Sequence, residues 1–323
     1  MSISIVIPNH NGAHLLEVCL ESIRGQSYRE FDVVIVDNGS QDQSLDVLEK
    51  YSGEVCVIRL DRNVGFSRAV NLGILRTEGD LVFVLNNDTR LDHNCLAEIA
   101  MGCELNPQYG FFAPKICEFN NPDRIYAGGL MFSDRGYGNR SNRSLFQKVI
   151  KNMEVFGACG AAAVYRREVL RKVGCFNEDF FFLYEDLELS FRHQLQGYKC
   201  LYLPAAIVYH HGSKTLHKLF SHAVCEAVKN SLTTLITCVP TKILAECCWG
   251  IFRFYCTFWL LIIRHGYPRE LVSGLERVLK ELPALLKQRR YLQNQSVCDV
   301  TYIQKMLYKG PIHINLPNKV ETL

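Results

Sequence analysis

Over the first 115 positions, short apolar runs alternate with stretches whose apolar residues recur at helical spacing. The runs at 3–7, 33–36, 55–60 and 81–85 have the length and β-branched content of buried strands. Between them, residues 15–23, 45–51 and 69–75 carry the helical pattern. Strand and helix in alternation, joined by short turns, predict an α/β fold with a parallel sheet covered on both faces. Ligands of such sheets bind at the carboxyl ends of the strands. Here every one of those ends runs into a polar loop: Pro8-Asn9-His10-Asn11-Gly12, Asp37-Asn38-Gly39-Ser40, Asp61-Arg62-Asn63-Val64-Gly65 and Asn86-Asn87-Asp88-Thr89. Any one of these reads equally well as turn and helix-cap chemistry. Their joint occurrence after four successive strands is what predicts a site.

Beyond 115 the pattern loosens. Residues 116–152, punctuated by Asn120-Asn121-Pro122-Asp123, Gly128-Gly129 and Gly136-Tyr137-Gly138, read as a loop-rich insertion or hairpin over the site. Patterning returns with a small-residue stretch at 156–160, a helix over 167–173 and a strand over 200–203. An aromatic run precedes Tyr184-Glu185-Asp186, from which a helix runs to Gln196 and stops at Gly197. From 219 the pairs Leu219/Phe220, Ala223/Val224, Ala227/Val228 and Leu235/Ile236 recur at helical spacing opposite Lys218, His222, Glu226 and Lys229. The stretch 243–263 is apolar and aromatic but interrupted by Glu246 and Arg253, and its charge-free part, 254–263, is too short to cross a bilayer. A last amphipathic helix, which Pro283 should kink, carries Leu271, Val272, Leu275, Val278, Leu279, Leu282, Leu285 and Leu286 on one side, flanked by Arg277, Lys280, Lys287, Arg289 and Arg290.

Charge divides the chain at the same place. Residues 1–213 hold 21 Lys and Arg against 26 Asp and Glu, whereas 214–323 hold 15 against 7. An acidic front and a basic, aromatic-rich back predict two jobs, the second on nucleic acid or an anionic membrane face. A helical subdomain or dimer interface is the plainer reading of an amphipathic stripe. The cluster Trp249, Phe252, Phe254, Tyr255, Phe258 and Trp259, with its basic neighbours, favours helices lying in a membrane interface. The 14 cysteines are scattered, with no C-x-x-C pair, and the first residues show no basic segment followed by a long apolar one. The expectation is a cytosolic protein with reduced thiols and no signal peptide.

Three groups could carry chemistry. Asp88 closes a buried strand, where a carboxylate is a natural ligand for a hard divalent cation that bridges to phosphates. Glu185-Asp186 follows an aromatic wall, which suits a general base, although either residue could simply cap the following helix. Of the adjacent His210 and His211 in an extended segment, only one can face a site, where a neutral imidazole is a good metal ligand. A nucleotidyltransferase would also need a Gly-rich basic loop after the first strand, and Pro8-Asn9-His10-Asn11-Gly12 has one glycine and no Lys or Arg.

Together these motifs resemble the inverting family 2 glycosyltransferases of GT-A fold, over residues 3–213 and more weakly beyond. The resemblance rests on Ser4-Ile5-Val6-Ile7-Pro8-Asn9-His10-Asn11, on Val34-Ile35-Val36-Asp37-Asn38-Gly39-Ser40 with Asp42, and on Asn63-Val64-Gly65-Phe66. It continues in Leu85-Asn86-Asn87-Asp88-Thr89, Gly174-Cys175-Phe176-Asn177-Glu178, Tyr184-Glu185-Asp186 with Arg192, and Pro204 with His210. It implies a GT-A type, Rossmann-like, mainly parallel sheet flanked by helices, with a C-terminal amphipathic helical region. The implied catalytic domain spans 1–213, with a nucleotide-sugar half at 1–115 and an acceptor and catalytic half at 116–213, followed by a membrane-associating region at 214–323.

By the same resemblance, Pro8, Asn9, Asn11, Asp37, Asn38, Asn63, Gly65 and Asn87 would line the nucleotide-sugar. Asn38 stands where many relatives have a carboxylate. Asp88 is the carboxylate retained from an Asp-x-Asp metal motif and would bind Mg2+ or Mn2+, with His210 completing the shell. Asp186 matches the base, with Glu185 as its neighbour. The finer likeness is to a rhamnosyltransferase-like branch, implying dTDP-L-rhamnose as donor and a polyprenyl-diphosphate-linked saccharide as acceptor. The protein would then sit peripherally on the inner face of the plasma membrane, without a nucleic-acid partner. A UDP-sugar donor, or a catalytically weak nucleotide-sugar-binding relative, is the alternative.

Overall fold

A computed structural model describes residues 1–140, 146, 148–212, 220–310, 312–316 and 319–322. Ser213, Lys218 and Leu219 therefore lie outside the described residues, as does the start of the basic region. The chain packs as two compact units whose segments alternate along the sequence. Unit 1 comprises Met1–Leu130, Arg140–Phe181 and Tyr198–Gly212, and unit 2 comprises Met131–Asn139, Phe182–Gly197 and Ser213–Leu323.

Unit 1 is built on a ten-stranded sheet. Strands β1 (Ile3–Asn9), β2 (Phe31–Asn38), β3 (Cys56–Leu60) and β4 (Leu81–Leu85) are parallel, in the order β3-β2-β1-β4. Helices α1 (Ala13–Arg24), α2 (Ser44–Glu49) and α3 (Phe66–Ile74) connect them. Ile5, Val6 and Ile7 of β1 and every residue of β4 are fully buried, which is why these strands read as unbroken apolar runs. Each such side chain contributes about 1.5–3 kcal/mol by leaving water. All four strands end at the same edge of the sheet, so the four polar loops gather there.

The second half of the sheet is mixed. β11 (Ala162–Arg166) runs antiparallel between β4 and β6 (Phe111–Glu118), and β12 (Cys200–His210) runs parallel to β6. β7 (Asn121–Ala127) folds back on β6, giving the hairpin expected within 116–152, and β10 (Met153–Val155) edges β12. The strand expected at 200–203 continues to His210 because a register shift between Leu203 and Ile207 absorbs Pro204. At its far end β12 pairs with the three-residue β5 (Thr89–Leu91). Helices α4 (Cys95–Leu105) and α5 (Arg167–Val173) complete the unit, and β8 (Leu130–Phe132) pairs with β9 (Gly138–Arg140).

Unit 2 contains α6 (Glu185–Leu195), α7 (Phe220–Cys238), α8 (Thr241–Arg264), α9 (Pro268–Asn294) and α10 (Val300–Met306), with a hairpin of β13 (His313–Leu316) and β14 (Lys319–Thr322). Val224 and Val228 of α7, Phe254, Tyr255, Phe258 and Ile262 of α8, and Leu271 of α9 form its core. α9 runs on through Pro283 as one helix. Glu226 and Lys229, which the sequence pattern assigns to a polar face of α7, are buried instead. α7 packs against both α6 and α9, and Arg277 of α9 neutralises Glu226, so the helix has no solvated side at that point. α8 passes by length and composition as a helix able to cross a membrane, yet one of its faces lies in the unit 2 core.

Candidate functional site

At the carboxyl edge of unit 1, the loop side chains bond chiefly to one another. Buried Asn9 donates from Nδ2 to Asp37 Oδ1 at 3.0 Å and to Ser40 Oγ at 3.2 Å, while its Oδ1 accepts from Asn87 Nδ2 at 2.6 Å. The first, second and fourth loops are thereby tied together. A Cβ on Gly12 would stand 2.1 Å from Asn87 Nδ2, so only glycine admits this bridge. Asn11, at φ 52°, receives Gln41 N on its Oδ1 at 2.8 Å and donates its own backbone N–H to Ser40 Oγ at 3.0 Å. Pro8 is half-buried beside Val36. Asp42 accepts from Ala13 N at the start of α1, and from Ser44 N and Oγ at the start of α2. These bonds offset the burial that opposes its charge and hold its carboxyl below the usual range.

Asn38 has a task that its place in the motif does not suggest. Its Nδ2 donates to Asn63 Oδ1 at 3.0 Å and to Gly65 O at 3.1 Å, and its Oδ1 accepts from Val64 N at 2.8 Å. Both ends of the amide shape the third loop, and Asn63 Oδ1 also accepts from Gly65 N at 2.9 Å. Gly65 sits at φ +92°, with the Phe181 backbone and ring 2.8 Å from where a Cβ would lie, and Phe181 O accepts from Phe66 N at 2.6 Å. Ser40 and Phe181 are the parts of this edge whose contacts with the loops the sequence does not reveal. Ser40 lies within the Val34–Ser40 motif, and Phe181 shows in the sequence only as part of the aromatic run before Glu185.

Asp88 and His210, far apart in sequence, are neighbours. The β5–β12 register sets His210 opposite Thr89, and Asp88 O accepts from His211 N at 3.0 Å. His210 Nε2 then stands 2.9 Å from Asp88 Oδ1, yet Oδ1 receives no hydrogen bond although it is buried. Two cis ligands of an octahedral cation with bonds of 2.0–2.1 Å lie about 2.9 Å apart. The spacing that makes the two an ion pair is therefore also the spacing of two ligands on one divalent ion. Among the described residues no third His, Cys, Asp or Glu joins them, which suits a cation that takes its other ligands from phosphate and water. The Tyr126 ring packs edge-on against His210, centroids 4.5 Å apart, and His211 turns away to stack on Phe119 at 3.6 Å. One histidine of the pair reaches the site, as alternation along a strand requires.

Glu185 and Asp186 belong to unit 2. Neither occupies the N-cap position, which is Tyr184, but Asp186 Oδ1 accepts from Leu187 N at 2.8 Å and so satisfies one N–H of the first turn. Leu183 and Tyr184 both have φ 69°. A non-glycine residue in the left-handed region costs about 1–3 kcal/mol, so the turn that delivers the two carboxylates is strained. Glu185 is buried with no partner for Oε2. Burial first, and the Asp186 charge second, push its carboxyl up to about 8, so it is a neutral acid at pH 7. Asp186 is half-buried and lies at a helix N-terminus, where a negative charge is favoured.

The glycosyl transferase family 2 model matches residues 4–174. This chain belongs to that family. It is 30% identical over 181 residues to a PGL/p-HBAD biosynthesis glycosyltransferase of Mycobacterium tuberculosis, a match covering 54% of this chain and 62% of the relative, under two thirds of its length. Among solved structures, GalNAc-T7 with UDP, GalNAc and Mn2+ superposes with a TM-score of 0.59 at 19% identity, covering 73% of this chain and 47% of that one. Residues 1–349 of Staphylococcus aureus TarS superpose with a TM-score of 0.56 at 18% identity, over 100% of this chain and 96% of the other. At such identities the likeness is one of fold, and it gives unit 1 the GT-A architecture.

Proposed function

We propose that the protein is an inverting glycosyltransferase that moves a sugar from a nucleoside-diphosphate donor to a saccharide hydroxyl. The observation that carries this reading is the pairing of half-buried Asp88 with buried His210 at the carboxyl edge of a family 2 sheet. The loops tied by Asn9, Asn38 and Asn87 hold the nucleoside and ribose, with Pro8, Asn11, Asp37, Asn63 and Gly65 as the rest of the lining. Asp88 and His210 hold Mg2+ or Mn2+, which when bound supplies positive charge to the diphosphate as it leaves. Asp186, ionised, takes the proton of the acceptor hydroxyl as that oxygen attacks the anomeric carbon. The bond to the diphosphate breaks on the opposite face, so the configuration inverts. Glu185 remains neutral and adds no second charge beside the base.

The donor we favour is dTDP-L-rhamnose, on the likeness of Val36-Asp37-Asn38-Gly39-Ser40, Asn63-Val64-Gly65-Phe66 and Leu85-Asn86-Asn87-Asp88-Thr89 to the rhamnosyltransferase-like branch. Release of dTDP or UDP from a panel of donors, with Mn2+ and simple glycoside acceptors, tests it. Turnover of dTDP-rhamnose above the others is expected. Turnover of a UDP-sugar alone would replace the donor and keep the reaction. No turnover of any donor that binds would favour a catalytically weak relative.

The acceptor, in this reading, is carried on a polyprenyl diphosphate, and unit 2 meets the inner face of the plasma membrane. On α8, Trp249, Phe252, Leu260 and Ile263 form one exposed stripe flanked by Arg253 and Arg264, with Trp249 67% and Leu260 66% exposed. On α9, Val272, Leu279 and Leu286 are exposed at seven-residue spacing among Arg269, Lys280, Lys287 and Arg290. Apolar stripes with basic flanks suit an anionic interface. Sedimentation with phosphatidylglycerol vesicles is expected, with loss of binding in Trp249→Ser/Phe252→Ser. Equal binding to duplex DNA and none to vesicles would contradict it.

A further inference from the structure

We propose that Asn230 is a positioning residue for the base: from α7 it holds the strained turn that delivers Asp186. The inference rests on Asp186 being that base. Asn230 is fully buried in the middle of a helix, where Asn is a poor helix former and an apolar side chain would be easier to bury. Its Nδ2 donates to Phe182 O at 3.0 Å and to Leu183 O at 2.9 Å, one hydrogen to each carbonyl. These peptides lead into Leu183 and Tyr184, both at φ 69°, and thence into Glu185 and Asp186. Two consecutive non-glycine residues in this region persist only where their surroundings hold them.

The amide cannot be turned the other way. Besides the two carbonyls, Glu226 Oε2 lies 3.4 Å from Nδ2, so three oxygens surround that atom and require the NH2 group there. Glu226, one turn earlier on α7 and 1% exposed, is in turn paired with Arg277 of α9. Arg277 thus neutralises Glu226, the third acceptor beside Asn230 Nδ2, whose two hydrogens serve the carbonyls of the turn. These residues all lie beyond residue 174, where the family model ends. The basic C-terminal region is then part of what holds the base, whatever surface it also meets.

A double-mutant cycle on the full chain tests this, with rates normalised to nucleotide-binding sites so that unfolded protein is not counted. Asn230→Ala is expected to lower transfer 10- to 100-fold with donor KM within twofold, and to cost less than threefold when Asp186 is already Asn. Arg277→Gln, at a half-exposed position, frees Glu226 to draw the Nδ2 hydrogens away and is expected to show a three- to tenfold loss with the same non-additivity. This second variant serves where Asn230→Ala does not fold. Multiplicative losses in the Asp186→Asn background, or a wild-type rate in both single variants, would overturn the positioning role while leaving the base intact. A wild-type rate in Asp186→Asn alone would remove the base, and the positioning role with it.

Discussion

Asp186→Asn is expected to lower sugar transfer by about 10²–10⁴-fold, the usual contribution of a positioned general base, with nucleotide binding unchanged because the donor loops belong to unit 1. The amide is isosteric and can still accept from Leu187 N, so the start of α6 should keep its shape. Glu185→Gln makes the contrast. Glu185 is a neutral acid below about pH 8, so an amide of the same shape should leave the rate at pH 7 within a few-fold. The same variant tests the linkage. A carboxyl raised from 4.5 to about 8 retains its proton in the folded state while the unfolded chain has lost its own. Folding stability therefore falls as pH rises from about 4.5 to about 8 and is level above. Glu185→Gln should flatten that decline in urea unfolding followed from pH 5 to 9. Equal losses of activity in both variants would show that the two carboxylates do not have separate roles.

The second large effect is expected at Asp88. Asp88→Asn removes the negative charge beside His210 Nε2 and, among the described residues, one of the two groups proposed to hold the cation. A bound metal contributes several kcal/mol to developing charge, so kcat/KM should fall about 10²–10³-fold. High Mn2+ should recover part of the loss, because phosphate and water supply the remaining ligands. His210→Ala should weaken metal dependence in the same direction and less severely, since it removes a neutral ligand. Steady-state rates against Mn2+ concentration measure both. A variant with wild-type metal dependence would place the cation elsewhere.

Much of unit 1 was legible because strands buried on both faces leave an apolar run that no other local structure imposes. β1, β2 and β4 announce themselves in this way, and the polar loops after them follow from the parallel order. β5 did not, being three residues long and defined only by pairing with the end of β12. That pairing brings Asp88 to His210, and the motif resemblance, rather than any local pattern, linked the two in advance. The left-handed turn at Leu183 and Tyr184 was not legible, because neither residue is of a type that favours it. Glu226 and Lys229 read as the polar face of an amphipathic helix, and Asn230 carried no role in the sequence. Only packing against α6 and α9 shows that face to be interior. Asn38 was legible as part of a site but not in its use, since an amide that can serve a base can equally serve a loop.

Nucleotide binding by calorimetry tests the central claim most directly. dTDP, UDP, GDP and CMP would be titrated into the wild-type chain and Asp88→Asn, each with and without Mn2+. The account predicts that the wild type binds a nucleoside diphosphate, dTDP foremost, much more tightly with Mn2+ than without. It predicts that Asp88→Asn loses the Mn2+-dependent part alone. Absence of binding by folded wild-type protein, or equal Mn2+ dependence in Asp88→Asn, would contradict the donor site as drawn at the edge of unit 1.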